Sequence, residues 1–132
     1  MDTRALAERF ARVWEDAWPR GDVEALLPLY AEGCVHRSMP FRPPHEGREA
    51  LAEYLRWSFA DGAATDVRFG TPIVDGDRAV VEFRVFSVEK GGSTTLAGCA
   101  FVRFGPDGLV TEVRDYWHAV EGHREPTGSL FF

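Results

Sequence analysis

The chain has no basic run, no long apolar run and only two cysteines, and each scarcity closes off a class of function. Its 132 residues carry 15 Lys plus Arg against 21 Asp plus Glu, a net charge of −6. Nucleic-acid surfaces gain affinity by neutralising phosphates with clustered cations, so no nucleic-acid partner is expected. No apolar stretch approaches the roughly 20 residues that a spanning helix needs. The N-terminus, MDTRALAERF, is charged and amphipathic, unlike a signal peptide. No membrane partner is expected either. Cys34 and Cys99 suit small buried thiols in a reduced, cytoplasmic protein better than a disulfide. Repeats, low-complexity segments and composition breaks are absent, which leaves a single domain over 1–132. What is present is apolar: 45% hydrophobic and 13% aromatic residues, enough to fill a core and also line a cavity.

The pattern along the chain changes once. Asp2 or Thr3 can cap a first helix whose Leu6, Phe10, Val13, Trp14 and Ala17 form one apolar stripe, with Pro19 and Gly21 as its stop. Asp22 caps a shorter second helix, in which Pro28 predicts a kink or a 3₁₀ turn. Cys34 to Met39 reads as a short strand, 40–47 (PFRPPHEG) as a loop across a cavity mouth, and Arg48 to Phe59 as a third helix. Beyond it the apolar residues alternate. Strands are predicted at 66–74, 78–89, 94–104 and 109–120, punctuated by DGD, KGG and GPDG turns that favour antiparallel hairpins. Helices first and a meander afterwards argue for α+β, a curved antiparallel sheet with helices on one face.

The last strand, LVTEVRDYWHAV, carries the oddity of the sequence. Alternation puts Val113, Asp115, Trp117 and Ala119 on one face, so an acid sits between Val and Trp on an apolar surface. An unpartnered buried carboxylate costs several kcal/mol, so such a group is paired, neutralised or used. Val81, Phe83, Val85 and Ser87, and Gly98, Ala100, Val102 and Phe104, share that face in the neighbouring strands. The opposite face mixes charge and aromatics: Glu82, Arg84, Phe86, Phe101, Arg103, Arg114, Tyr116 and His118. It reads as a homodimer surface, or as an exposed face whose Arg stems cover the rings.

The helix break WEDAW…GD at 14–22, LLPLYAEGCV at 26–35, HEGREALAEYL at 45–55 and DGLVTEVRDYW at 107–117 follow one another in an order that resembles the nuclear transport factor 2-like superfamily. Within it the chain is most similar to the SnoaL-like polyketide cyclase group. The resemblance implies a cone: a bent sheet wrapped around three N-terminal helices, enclosing a deep apolar pocket. Its order of elements is also similar to ketosteroid isomerase, but the positions of that enzyme's catalytic Tyr and two Asp would be Trp14, Ser38 and Ala100 here. Limonene epoxide hydrolase-like proteins add an Arg and an Asp on a middle strand, and here Arg84 falls on the wrong face. Cyclases of the SnoaL-like type imply less, an acid/base residue and a polar helper without metal or organic cofactor.

Asp115 fits the first role. Ser38 faces the pocket by the resemblance, and His36 shares its parity, so His36 and Asp115 form a candidate acid/base pair. Trp14, Trp18, Tyr30, Ser38, Tyr54, Trp57, Phe83 and Trp117 would bind a hydrophobic, polyketide-like small molecule. The expected activity is a cofactor-independent cyclase, isomerase or dehydratase, with a non-catalytic ligand-binding protein or a dimeric scaffold as the alternative. His36 could instead bond a backbone carbonyl, and Asp115 could anchor the indole of Trp14 or Trp18. His118 and His123 lack a third ligand for a metal site. The apolar tail Leu130, Phe131 and Phe132 would cover the mouth or clasp a second subunit.

Overall fold

The computed structural model describes residues 2–127, so the apolar tail at 130–132 lies outside the described residues. These residues form three α-helices, a 3₁₀ turn and seven strands. Helix α1 is Thr3–Arg20 and α2 is Val23–Leu26, followed by the 3₁₀ turn Leu27–Leu29. Strand β1 is Tyr30–Ser38, β2 His45–Glu46, α3 Arg48–Ala60, β3 Gly62–Phe69 and β4 Ile73–Asp75. The meander ends with β5 (Arg78–Glu89), β6 (Gly92–Phe104) and β7 (Val110–Glu121).

Local chemistry accounts for the boundaries. The Asp2 carboxylate accepts from the Ala5 amide and opens α1. The helix runs past Pro19, which removes one bond of the last turn, and Gly21 closes it at φ 60 while its amide and that of Asp22 bond back to Trp18 and Ala17. Asp22 caps α2 through the Ala25 amide, and Pro28 converts the helix into the 3₁₀ turn. Phe10, Trp14 and Ala17 bury the apolar stripe of α1 against the sheet with Leu26, Leu51 and Leu55 from the other helices. This layer and the inner sheet face make one core.

Strand order is β2-β1-β7-β6-β5-β3, with β4 also on β5. Three features depart from the sequence expectation. First, the sheet is not wholly antiparallel: β1 runs parallel to β7, pairing His36 with Val113 and Ser38 with Asp115. The long connection through β2, α3 and the meander brings β7 back beside β1 in the same direction, which a hairpin cannot do. Second, the predicted strand 66–74 is two strands, β3 and β4, docked end to end along β5. Pro72 lacks an amide and interrupts the ladder between them, while Gly70 donates to the Glu82 carbonyl across the gap. Third, β1 begins at Tyr30, before Cys34, and the loop 40–47 contains the short edge strand β2.

The outer face is also partly covered. Beyond β7, Gly122 (φ 80) turns the chain back over the sheet. Thr95 Oγ1 donates to the Gly122 carbonyl at 2.6 Å and accepts from the Arg124 amide at 3.1 Å. The His123 ring stacks on Phe86 at 4.9 Å. Glu125 and Asp66 both hold Arg84 at 3.0 Å, and Arg84 is only 2% exposed. The outward parity of Arg84 is as expected. Its burial comes from the returning segment, which alternation cannot reveal.

Candidate active site

Between the concave sheet face and the helices lies a cavity of about 490 Å³. Helix α1 contributes Phe10, Trp14 and Trp18, and α3 contributes Tyr54, Leu55 and Phe59. The sheet adds Phe83, Val85, Leu96, Ala100, Val113, Asp115 and Trp117, and β1 adds Tyr30, His36 and Ser38.

Register places the polar groups. Asp115 lies in the middle of β7, flanked by Ala100 on β6 and Ser38 on β1. The small Ala100 leaves the carboxylate room. His36, diagonal to it on the parallel neighbour, brings Nε2 to 3.3 Å from Asp115 Oδ2. The two groups differ in access: the Asp115 side chain is 20% exposed, the His36 side chain 4%. Asp115 therefore faces the cavity and His36 stands behind it. Among the described residues, His36 Nδ1 has no hydrogen-bond partner. Of the structural alternatives, the Trp14 indole donates to the Tyr30 hydroxyl at 3.0 Å and not to Asp115, and His36 Nδ1 meets no carbonyl.

Tyr30 is fully buried, and burial pushes its phenol well above 10, with the Asp115 charge acting in the same direction. Burial keeps it a neutral phenol, packed with Phe10 and Trp14. The Trp117 indole reaches Ser38 Oγ at 3.5 Å, and the Arg42 guanidinium lies 5.3 Å over the Trp117 ring. Gly98, paired with Trp117 on β6, permits that ring its place: a Cβ there would overlap the Tyr116 carbonyl oxygen and the Trp117 backbone. The rim carries the His45 ring stacked on Tyr54 at 4.2 Å. Burial lowers the basicity of His45, and the nearby His36 lowers it further.

The ten residues singled out from the sequence all line this cavity, but in unequal ways. Trp14 is 7% exposed and Tyr30 0%, so both are mainly core beneath the site, packed with Phe10 and Phe59. Trp57 is 69% exposed and sits at the rim. Sequence reasoning missed Leu96 and Arg42. Leu96 was legible, since the alternation through Gly98 and Ala100 includes it. Arg42 was not, because nothing in a proline-rich loop fixes the direction of a side chain. The two thiols are not nucleophile candidates: burial raises Cys34, and burial with Glu82 and Asp115 raises Cys99. Among the described residues no three His, Cys, Asp or Glu side chains gather as a metal site, and no helix is long and apolar enough to cross a membrane.

Comparison with known proteins agrees with this architecture. A crystal structure named "Putative Isomerase from Bacillus subtilis" superposes with a TM-score of 0.76 over 89% of this chain and 90% of that chain, at 19% sequence identity. At that identity the likeness is one of fold. The family described as "SnoaL-like domain" matches residues 7–113, from the first turns of α1 into β7. With the bent sheet, the three helices and most of its length matched, the chain belongs to the SnoaL-like domain family of the nuclear transport factor 2-like superfamily.

Proposed function

We propose that this protein is a cofactor-independent acid/base enzyme of the cyclase, isomerase or dehydratase type, acting on a hydrophobic, polyketide-like metabolite. The observation that carries the reading is the carboxylate of Asp115, open to an aromatic-lined cavity and backed at 3.3 Å by a buried imidazole. A carboxylate there can take a proton from carbon or oxygen of a bound carbonyl compound and return it to another atom. His36, with Nε2 3.3 Å from Oδ2, positions the Asp115 carboxylate. Trp18, Tyr54, Phe83 and Trp117 offer flat surfaces for an extended ligand, with Ser38 as the polar helper beside the carboxylate. The isomerase name of the Bacillus subtilis structure fits this class of chemistry.

The test is the Asp115→Asn variant, which keeps the shape of the side chain and removes the base. Turnover of a cyclisable or enolisable polyketide-like substrate should fall by at least about a hundredfold, the lower range for a placed acid/base group, while ligand affinity holds. Undiminished turnover overturns the assignment. Ligand binding without turnover in the wild-type protein favours the alternative, a hydrophobic ligand-binding protein, a reading that the predominance of aromatic and aliphatic lining supports.

The working unit we propose is a homodimer formed through the open part of the outer sheet face. Phe101 and Tyr116, in edge contact at 5.7 Å, are 47% and 39% exposed there, with Arg103 and Arg114 beside them. Two free thiols, one buried and one half-buried, suit a reducing, cytoplasmic setting.

A further inference from the structure

Two arginines line the cavity, and they differ in what holds them. Arg20 is committed to Asp16 and Asp22. Among the described residues the guanidinium of Arg42 has neither an ion pair nor a hydrogen bond, and its partner is the Trp117 ring, 5.3 Å away. A ring face attracts the charge but leaves the N–H donors for another acceptor. Arg42 is exposed as well as cavity-lining, so it stands at the mouth with those donors open.

The backbone that places Arg42 is tied to the site. The Met39 amide donates to the Asp115 carbonyl at 3.1 Å, which extends the β1–β7 pairing past Ser38. The Arg42 amide donates to the Met39 carbonyl at 3.3 Å and closes a turn, with Pro40 in the position whose φ proline presets. Met39 sits at φ 75, the one positive φ outside glycine among the described residues. Such a conformation persists only where its surroundings over-determine it, and it gathers at functional sites. At the tip of the turn Phe41 is 99% exposed, while the next residue, Arg42, lines the cavity. Trp117 shares the inner face of β7 with Asp115, two residues on and roughly 7 Å along the strand. One aromatic ring with a substituent covers that span.

We infer that Arg42 is the anion-recognising residue of the cavity, so that the ligand is a hydrophobic acid. Its carboxylate meets the guanidinium at the mouth, and its carbon frame lies along Trp117 toward Asp115. The inference deepens the proposed function and rests on the cavity being a small-molecule site. Guanidinium and carboxylate are planar groups that match in pairs of parallel hydrogen bonds. In a chain of net charge −6, an acid entering beside Asp115 needs a local cation to offset the repulsion. The other charges on the lining set its direction. Asp61 and Glu89 line the cavity at the β3–β5 edge of the sheet, whereas Arg42 follows β1 near the opposite edge. A carboxylate is repelled at the first edge and held at the second, which fixes which end of the ligand reaches Asp115.

The experiment is calorimetric titration of the full chain at neutral pH with 2-naphthoate and with 2-naphthamide, the same frame without the charge. The wild-type chain should bind the acid about tenfold more tightly than the amide, and the ratio should fall to parity or below in Arg42→Gln. Arg37→Gln removes an equal charge from β1 at a position that does not line the cavity, and it should leave the ratio as it is. A wild-type chain that does not favour the acid, or a preference that survives in Arg42→Gln, overturns the inference. So does a preference lost in Arg37→Gln, which would assign it to the overall charge of the chain. The outcome is separable from the functional reading, since the ratio is read without turnover and the turnover of Asp115→Asn decides the role of the carboxylate.

Discussion

Tyr30 sits under the site with its oxygen accepting from Trp14 and no access to water. Its neutral form is favoured in the fold, so the folded chain holds this proton to higher pH than the unfolded chain. A folded pKa raised above the unfolded one contributes stability that is full below the unfolded value, about 10, and is lost as pH rises beyond it. Alkaline urea melts should therefore show a steep loss of stability above about pH 10. Tyr30→Phe should flatten that loss and, by orphaning the Trp14 indole, cost about 1 kcal/mol at neutral pH. An alkaline slope identical in both proteins would show that Tyr30 does not titrate. At this scale much of the site was legible. One acid on an apolar face pointed to Asp115, the family resemblance pointed to Ser38, and parity carried His36 with Ser38. Their pairing depends on a parallel register between distant strands, which no local pattern encodes. The position of Arg42 over Trp117 depends on a loop.

The meander shows what alternation reveals and what it does not. Bounds for β5 were readable to the residue, because DGD and KGG turns fence twelve alternating positions. The break at Pro72 was readable in principle, since a proline inside a strand pattern demotes it. The segment 122–125, by contrast, has no periodicity, and its docking follows from the side chains it meets. Arg84 is a buried cation whose carboxylates come from the edge strand β3 and from the segment that follows β7, with Asp66 55% and Glu125 61% exposed on their side chains. Solvent screens each pair, so Asp66→Asn or Glu125→Gln alone should cost about 1 kcal/mol or less. Both together strand the guanidinium, and the double variant should lose about 3 kcal/mol, more than the sum. Additive losses in a denaturant double-mutant cycle would count against a shared clamp. In the β6–β7 pair, Gly98→Ala should destabilise by at least about 1–3 kcal/mol, because backbone, not a yielding side chain, occupies the space. A neutral effect in thermal melts would contradict the packing of Trp117 across that glycine.

For the whole molecule, the returning segment divides the outer face. Its part near Arg84 and Phe86 is closed by the chain itself, and its part near Phe101 and Tyr116 is open. Sedimentation should find a dimer at micromolar concentration, and Phe101→Asp should shift it to monomer without altering the fold by circular dichroism. A wild-type monomer under those conditions removes the dimer. The class and order of elements were legible, because each helical stripe and each alternating stretch keeps one period through its length. The parallel closure was not, since it follows from the path of the whole meander.

That closure also sets when the site comes into being. His36 and Asp115 sit on adjacent strands but belong to the first and last strands of the sheet. During synthesis the helices, β1 and even the β5–β6 hairpin can all leave the ribosome before β7 does. Until β7 docks, β1 has only the two-residue β2 beside it, and His36 has no carboxylate to face. A partly made chain thus holds most of the apolar wall and none of the chemistry.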